Sequence, residues 1–143
     1  KKGAKKVLAV DIDNTSLENA KENVTLHRLE KVIEVRKSDL FISIKRKEKF
    51  DLIISQLPFA DVDYQSKIAH LLFDFNFKLH ERLLKEAKTH LTKSGKIFIP
   101  SGDVANEKKL IKLIQLYSYD ILSVEEEIFQ KLKWKLYIIK PKT

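Results

Sequence analysis

Short, mainly apolar runs alternate with longer stretches of helical periodicity through most of the chain. Four of these runs occupy residues 7–10, 32–35, 50–55 and 96–101. Consecutive apolar residues over such lengths are typical of strands that are covered on both faces of a sheet. The sequence therefore predicts four strands that alternate with helices.

Polar residues after the first strand predict where the first helix begins. Asn14, Thr15 and Ser16 are residue types that cap a helix by accepting a backbone N–H. Apolar residues at helical spacing then continue over residues 17–28. We expect a helix that one of these three residues caps.

Three later segments carry the same helical periodicity. They cover residues 66–73, 77–91 and 105–119, and Gly95 is expected to end the second helix. The positions that should face the core in the last two helices are Leu79, Leu83, Ala87 and Leu91, and Leu110, Leu113, Ile114 and Tyr117.

The C-terminal part of the chain predicts a closing pair of strands. They cover residues 123–130 and 132–140, and the short connection at Gln130 and Lys131 makes the pair antiparallel. The whole pattern predicts an α/β fold with an open, mostly parallel sheet, right-handed crossovers, helices on both faces and an antiparallel C-terminal strand pair.

Polar residues follow three of the predicted strands where such sheets bind ligands. Asp11 and Asp39 come after the first two strands, and residues 56–59 (Gln-Leu-Pro-Phe) come after the third. In open parallel sheets the ligand crevice lies at the carboxyl ends of the strands. We therefore expect these three strand ends to border one crevice.

Composition adds a basic surface. The 143 residues carry a formal net charge of +8, which favours polyanions such as RNA. The lysines are spread along the chain, however, and we expect the one dense cluster, residues 45–49, to be a solvated connection. There is no cysteine, and no apolar run approaches the ~20 residues of a membrane span. We expect a cytoplasmic protein without membrane contact, and leave nucleic acid open as a partner.

Other catalytic or metal-binding patterns are weak. Ser101 lacks the preceding glycine of a nucleophile elbow, so we expect it in a loop after a strand. Trp134 alternates with lysines, which is typical of a half-buried strand. The four histidines lack the spacing of metal ligands, so no metal site is predicted and we expect them to be partly exposed helix residues. They are His27, His70, His80 and His90.

The order of these segments resembles a class I S-adenosylmethionine-dependent methyltransferase. The stretches VLAVDID, ENAKENV, KSDLF, FDLIISQLPF and HLTKSGKIFI carry the resemblance over nearly the whole chain. In that family a carboxylate after a strand binds the ribose hydroxyls of the cofactor. The resemblance implies this role for Asp11, with Ile12 beside it and Asp13 as a substitute. It also implies that Asp39 faces the adenine amine, with Leu40 and Phe41 next to the ring.

The resemblance is more specific at residues 56–59. Members that methylate planar nitrogen groups carry there an Asn, Asp or Ser, usually Pro-Pro, and then Tyr or Phe. This implies that Gln56 and the Leu57 carbonyl accept hydrogen bonds from the acceptor NH₂, while Pro58 stiffens the turn and Phe59 stacks on the flat group. Gln56 is one methylene longer than Asn, and misplacement by ~1 Å can cost ~10²-fold in rate.

The substrate class follows from the same resemblance. Residues 60–84 resemble the variable region of the "small" methyltransferases, which include enzymes that modify a glutamine of peptide release factors. A protein glutamine or a nucleic-acid base is therefore the implied acceptor, and S-adenosylmethionine the implied cofactor.

One feature of the family has no counterpart in the sequence. Its glycine-rich G-x-G loop should precede Gly3, so we expect residues 1–143 to form a single methyltransferase-like domain without its first strand and glycine loop. Two alternatives stay open. A non-catalytic scaffold that binds RNA or protein is one. The other is a nicotinamide-binding dehydrogenase domain, which also has an acidic residue after its second strand but leaves residues 56–59 unexplained.

Overall fold

The computed structural model describes residues 3–58, 74–103 and 105–142. The chain divides into two compact units, Lys1–Lys45 (unit 1) and Arg46–Thr143 (unit 2). The helix predicted for residues 66–73 lies outside the described residues, and so do Phe59 and His70.

Unit 1 is one strand–helix–strand crossover. Strands β1 (Val7–Asp11) and β2 (Ile33–Lys37) pair in parallel, with Asp11 opposite Lys37. Helix α1 (Asn14–Leu26) connects them and buries Leu17. The predicted burial of the first strand on both faces is wrong, since its Val10 is 37% exposed. Within the described residues of this unit, the two-stranded sheet packs against α1.

The cap of α1 also differs from the prediction. Asp13 is the N-cap residue, and its Oδ2 accepts the backbone N–H of Ser16 at 2.7 Å. The cap predicted at residues 14–16 is wrong, because these residues already lie in the first turn of the helix. A carboxylate two residues after β1 reaches the free N–H groups instead.

Unit 2 contains a four-stranded sheet. Its strands are β3 (Phe50–Ile54), β4 (Leu91–Gly102), β5 (Tyr119–Phe129) and β6 (Leu132–Pro141), in the spatial order β3-β4-β6-β5. β3 and β4 pair in parallel, while β6 pairs antiparallel with both β4 and β5. The connection Gln130–Lys131 has φ angles of 49° and 66°. These values suit a two-residue hairpin turn, and the predicted antiparallel C-terminal pair is confirmed.

Among the described residues of unit 2, two helices accompany this sheet. They are α2 (Lys78–Ala87) and α3 (Glu107–Leu116), and 3₁₀ turns at Phe75–Phe77 and Lys88–His90 flank the first. Because β3 and β4 are parallel, the chain between them must return from the carboxyl end of β3 to the amino end of β4. The N-terminus of α2 therefore lies toward the carboxyl ends of these strands, and α3 begins shortly after β4 reaches the same end.

β4 begins earlier than the sequence predicts. Leu91 was expected to be the last core position of a helix that Gly95 ends, but the helix ends at Ala87 and Leu91 opens the strand. Gly95 lies within β4, where an added Cβ would be 2.9 Å from the Phe50 carbonyl oxygen. This glycine therefore serves the close approach of β3 and not a helix terminus.

The core of unit 2 corrects three further predictions. His80 and His90 are 0% and 6% exposed, and Ser101 is 2% exposed inside β4 instead of in a loop. His80 is buried because Asp74 accepts a hydrogen bond from its ring, and it takes the inward position predicted for Leu79. The buried apolar residues of this core are Phe77, Leu83, Leu84, Ala87, Leu91, Ile97, Ile99, Leu110, Ile114, Tyr119, Tyr137 and Ile139.

The predicted α/β class with parallel strands and an antiparallel C-terminal pair is confirmed; within the described residues the strands form a two-stranded and a four-stranded sheet. In the part of the chain that the structure describes, no helix is both long and apolar enough to cross a membrane.

Candidate functional site

Two of the predicted cofactor residues lie at the ends of adjacent strands in unit 1. Asp11 ends β1 opposite Lys37, the last residue of β2, and Asp39 follows two residues later. Asp11 is exposed, and its Oδ1 accepts the backbone N–H of Asp13 at 2.8 Å. This bond orients the carboxylate and engages one of its two oxygens. Ile12, the next residue, is 55% exposed.

Asp13 has a different part in the structure. Its hydrogen bond to the backbone N–H of Ser16 caps α1, and this bond holds the pKa of the Asp13 carboxyl below its usual range. Nearby, Lys37 Nζ donates to Asn14 Oδ1 at 2.7 Å and ties the end of β2 to the first turn of α1. Asp13 is thus committed to the helix terminus and is less available to a ligand than Asp11.

Ser38, which the sequence analysis did not single out, fixes the loop after β2. Its side chain is buried; Oγ donates to the Leu40 carbonyl at 2.8 Å and accepts the Ser43 N–H at 3.0 Å. Its backbone N–H donates to the Asp11 carbonyl at 2.9 Å. Leu40 has a φ of 49°, a strained value for such a residue, and this network holds it there. The sequence offers one indication of this role: Ser38 lies between a strand and Asp39, and serine stabilises turns by hydrogen bonding to nearby backbone groups.

In unit 2, the tip of β3 carries the predicted catalytic residues. The Ser55 N–H donates to the Phe98 carbonyl at 3.0 Å and continues the pairing with β4. Gln56 is exposed, whereas Leu57 and Pro58 are partly buried. Gln56 therefore lies at the carboxyl end of β3, where a ligand can approach its amide. Phe59, the fourth residue of the predicted set, is outside the described residues.

The N-termini of α2 and α3 are joined at the same end of the unit 2 sheet. Lys109 Nζ donates to Asn76 Oδ1 at 2.9 Å and lies 5.8 Å from the centroid of the Phe77 ring. Asn76 and Phe77 have φ angles of 60° and 54°. A left-handed backbone conformation is rare for a bulky residue such as Phe, so this turn is strained. Contacts with neighbouring residues must stabilise it.

The buried side chain of Asp74 stabilises this turn through hydrogen bonds. Its carboxylate accepts the backbone N–H groups of Leu79 and His80 at 2.9 and 3.0 Å, and His80 Nδ1 at 2.7 Å. Since a carboxylate accepts, Nδ1 must carry the proton. His80 Nε2 is buried without a hydrogen-bond partner among the described residues. The pair supports the start of α2.

Glu107, in the first turn of α3, joins that helix to β6. Lys135 Nζ donates to Glu107 Oε1 at 2.5 Å, and the Tyr137 hydroxyl donates to the same oxygen. The hydrogen bond from Lys135, followed by that from Tyr137, holds the pKa of the Glu107 carboxyl below its usual range. The same bond raises the pKa of Lys135. Both groups are therefore charged at neutral pH.

The unit 1 strand ends suit a nucleoside. Asp11 and Asp39 present acceptor oxygens, while ribose hydroxyls and an exocyclic amine are donors. Within residues 3–58, 74–103 and 105–142, no group of three or more His, Cys, Asp and Glu residues is placed to hold a metal ion.

Comparison with known sequences identifies relatives of this chain. The model of the methyltransferase small domain matches residues 1–116. A protein of Methanocaldococcus jannaschii, provisionally named a protein N5-glutamine methyltransferase, is 30% identical over 139 residues, which cover 93% of this chain and 66% of the relative. The ribosomal protein uL3 glutamine methyltransferase of Francisella tularensis is 30% identical over 107 residues, or 68% of this chain and 34% of the relative.

Solved structures share the fold. The ribosomal protein L11 methylase of Lactobacillus delbrueckii superimposes with a TM-score of 0.72 at 22% identity, over 99% of this chain and 60% of that one. A Streptococcus pneumoniae protein in complex with S-adenosyl-L-methionine superimposes with a TM-score of 0.71 at 11% identity, over 96% of this chain and 55% of that one. The chain spans between about a third and two thirds of the length of the sequence relatives named above.

Proposed function

Because this chain belongs to the methyltransferase small domain family, we propose that it transfers a methyl group from S-adenosylmethionine to a nitrogen atom of a planar amide or base. The observation that carries the proposal is the set of polar strand ends, with Asp11 and Asp39 after adjacent parallel strands and Gln56 after β3. The cofactor supplies a methyl group that is already activated, so the protein has mainly to bind and orient.

The unit 1 residues would hold the cofactor. Asp11 would accept the ribose hydroxyls with the carboxylate oxygen that Asp13 leaves unengaged, and Asp39 would accept the adenine amine. Ile12 and Leu40 would supply apolar surface to the adenine ring. The buried Ser38 supports this assignment, because it fixes the loop that carries Asp39 and Leu40.

The tip of β3 would orient the acceptor nitrogen. The Gln56 amide oxygen and the Leu57 carbonyl would accept hydrogen bonds from the NH₂ group and leave its lone pair directed to the methyl group. Pro58 would restrict the backbone of this turn, and Phe59 would stack on the flat substrate group. No side chain is needed as a base if the proton leaves after the transfer.

A protein glutamine is the acceptor we propose. Two of the relatives carry names that describe glutamine methyltransferases, one of them acting on ribosomal protein uL3. A substrate of that kind would place the reaction in the cytoplasm. Residues 1–143 would then form a single methyltransferase-like domain, in which Gly3, Gly95 and Gly102 form no G-x-G pattern.

Substitution of Gln56 tests the catalytic assignment. Gln56→Ala should lower kcat by about 10²-fold, because the acceptor nitrogen loses one of its two orienting partners. Binding of S-adenosylhomocysteine should be unchanged. The measurements are initial rates of methyl transfer to a glutamine-containing peptide and a calorimetric titration. Gln115→Ala, at an exposed position of α3, is the matched control. An unchanged kcat in Gln56→Ala would remove the residue from the mechanism.

A further inference from the structure

A cavity of about 170 Å³ opens beside the carboxyl end of β4. Its lining residues come from the end of β4, the start of α3 and the strand β6; they are Ser101, Gly102, Asp103, Ala105, Glu107, Lys133 and Lys135. The space would hold about six water molecules at ~30 Å³ each. It can therefore take a polar group of several heavy atoms.

The cavity lies one strand away from Gln56. β3 and β4 are neighbours, with Ile54 opposite Phe98, so the residues after Ile54 run alongside the residues that lead to Ser101. Neighbouring strands are about 4.8 Å apart, and an extended peptide advances about 3.3 Å per residue. A side chain within about three positions of an acceptor held at Gln56 can reach the cavity.

Hydrogen bonds hold the polar groups of the cavity wall in place, and several of these groups are charged. Ser101 is 2% exposed, and the Asp103 carboxylate is held in place because its Oδ2 accepts the Lys133 N–H at 2.8 Å. Glu107 is anchored by Lys135 and by the Tyr137 hydroxyl, both through Oε1. These bonds fix one oxygen of each carboxylate and leave Asp103 Oδ1 and Glu107 Oε2 as further acceptor positions.

The remaining acceptor oxygens favour a ligand that donates hydrogen bonds, because both lysines of the wall are already paired with carboxylates. Lys135 also lies 3.2 Å from Glu126, and Lys133 lies 3.5 Å from the other oxygen of Glu126. Glu126 does not line the cavity but pairs with both lysines of its wall, so Asp103 and Glu107 are the acidic groups that face the cavity. A planar guanidinium, which can donate to two carboxylates at once, matches such a wall better than an anion does.

We propose that this cavity is a substrate subsite that binds an arginine side chain located within about three residues of the methylated glutamine. The inference rests on the proposed function, because only a peptide acceptor at Gln56 brings such a side chain to the cavity. It adds a determinant of sequence specificity to a reaction centre that recognises the amide alone.

The first test needs no catalysis. The isotope-labelled protein in its longest natural form is titrated with N-propylguanidinium and, separately, with its neutral isostere N-propylurea, while amide NMR shifts are recorded. We expect saturable shifts at Gly102, Asp103 and Glu107 with the cation, and binding of the urea at least about tenfold weaker. Equal binding of the two probes, or no shift at these amides, would overturn the subsite.

The second test uses peptide pairs. A glutamine peptide with arginine two residues away is compared with the same peptide carrying citrulline, which keeps the shape but lacks the charge. We expect kcat/KM about tenfold higher for arginine, with the difference mainly in KM. If both peptides react equally, the subsite is wrong while the proposed function stands. If neither reacts but N-propylguanidinium still shifts the cavity amides, the proposed function fails and cation binding by the cavity stands.

Variants link the two tests. Glu107→Gln should bring the arginine-to-citrulline ratio close to one, whereas Glu125→Gln, at an exposed position of β5, should leave the ratio unchanged. A ratio that stays near ten in Glu107→Gln would contradict the proposal. The probe titration on the unaltered protein keeps the proposal testable even if Glu107→Gln folds poorly.

Discussion

At the scale of single residues, hydrogen bonds decide which carboxylates can serve a ligand. Asp11 and Asp13 are two residues apart and both follow β1, yet Asp13 caps α1 while Asp11 keeps one oxygen clear of the described backbone groups. The positions of Asp11 and Asp39 were predictable, because carboxyl ends of parallel strands meet at one edge. The capping by Asp13 and the loop network of Ser38 were not, because they depend on local geometry that residue type alone leaves open.

Glu107 gives a pH dependence at this scale. Its pKa is lower in the folded protein than the ordinary value of 4.5, chiefly through the hydrogen bond from Lys135. A lowered pKa stabilises the folded state above about pH 4.5, and this contribution is lost as the pH falls through the folded-state pKa. Glu107→Gln should therefore lower Tm more at pH 7 than at pH 3.

Thermal melts of the two proteins across this range check the sign. Glu125→Gln removes the same charge from an exposed position of β5 and should show a much smaller change with pH. A loss of Tm in Glu107→Gln that is the same at pH 3 and pH 7 would show that the interaction is not ionic.

At the scale of elements, the order of strands and helices was predictable, but one boundary was not. The sequence predicts a helical stripe that continues from Leu83 and Ala87 to Leu91, because four-residue spacing also fits the start of a strand that follows a short 3₁₀ turn. Gly95 resembled a helix terminus for the same reason. Its actual role depends on the neighbouring strand β3, which sequence periodicity does not reveal.

Gly95→Ala tests that role. The new Cβ would lie 2.8 Å from Leu91 Cδ2 and 2.9 Å from the Phe50 carbonyl oxygen, and the latter belongs to backbone that cannot rotate away. We expect a loss of about 1–3 kcal/mol in the free energy of unfolding, as for other overpacked positions. Chemical denaturation measures it, with Ser94→Ala at the adjacent exposed position as the control. A loss no larger than in the control would contradict the close-approach role.

At the scale of the whole molecule, the buried apolar residues are unevenly shared. Among the described residues, Leu17 is the one hydrophobic side chain of unit 1 in the buried core, whereas unit 2 holds the remainder. Unit 1 nevertheless carries the residues proposed to bind the cofactor. Ligand sites are often drawn from the less stable parts of a protein. Among the described residues, β1 pairs with β2 and β3 pairs with β4, both in parallel, as the predicted mostly parallel fold requires.

The central claim is that Asp11 helps this family member to bind S-adenosylmethionine. The most direct test is a calorimetric titration of the longest natural form of the protein with S-adenosylhomocysteine, alongside Asp11→Ala and Asp13→Ala. We expect Asp11→Ala to weaken binding at least about tenfold, since a charge-assisted hydrogen bond contributes roughly 1.5–3 kcal/mol. Asp13→Ala should bind normally but melt at a lower temperature, because a helix cap is lost. Equal binding by the unaltered protein and Asp11→Ala, or no binding by either, would contradict the claim.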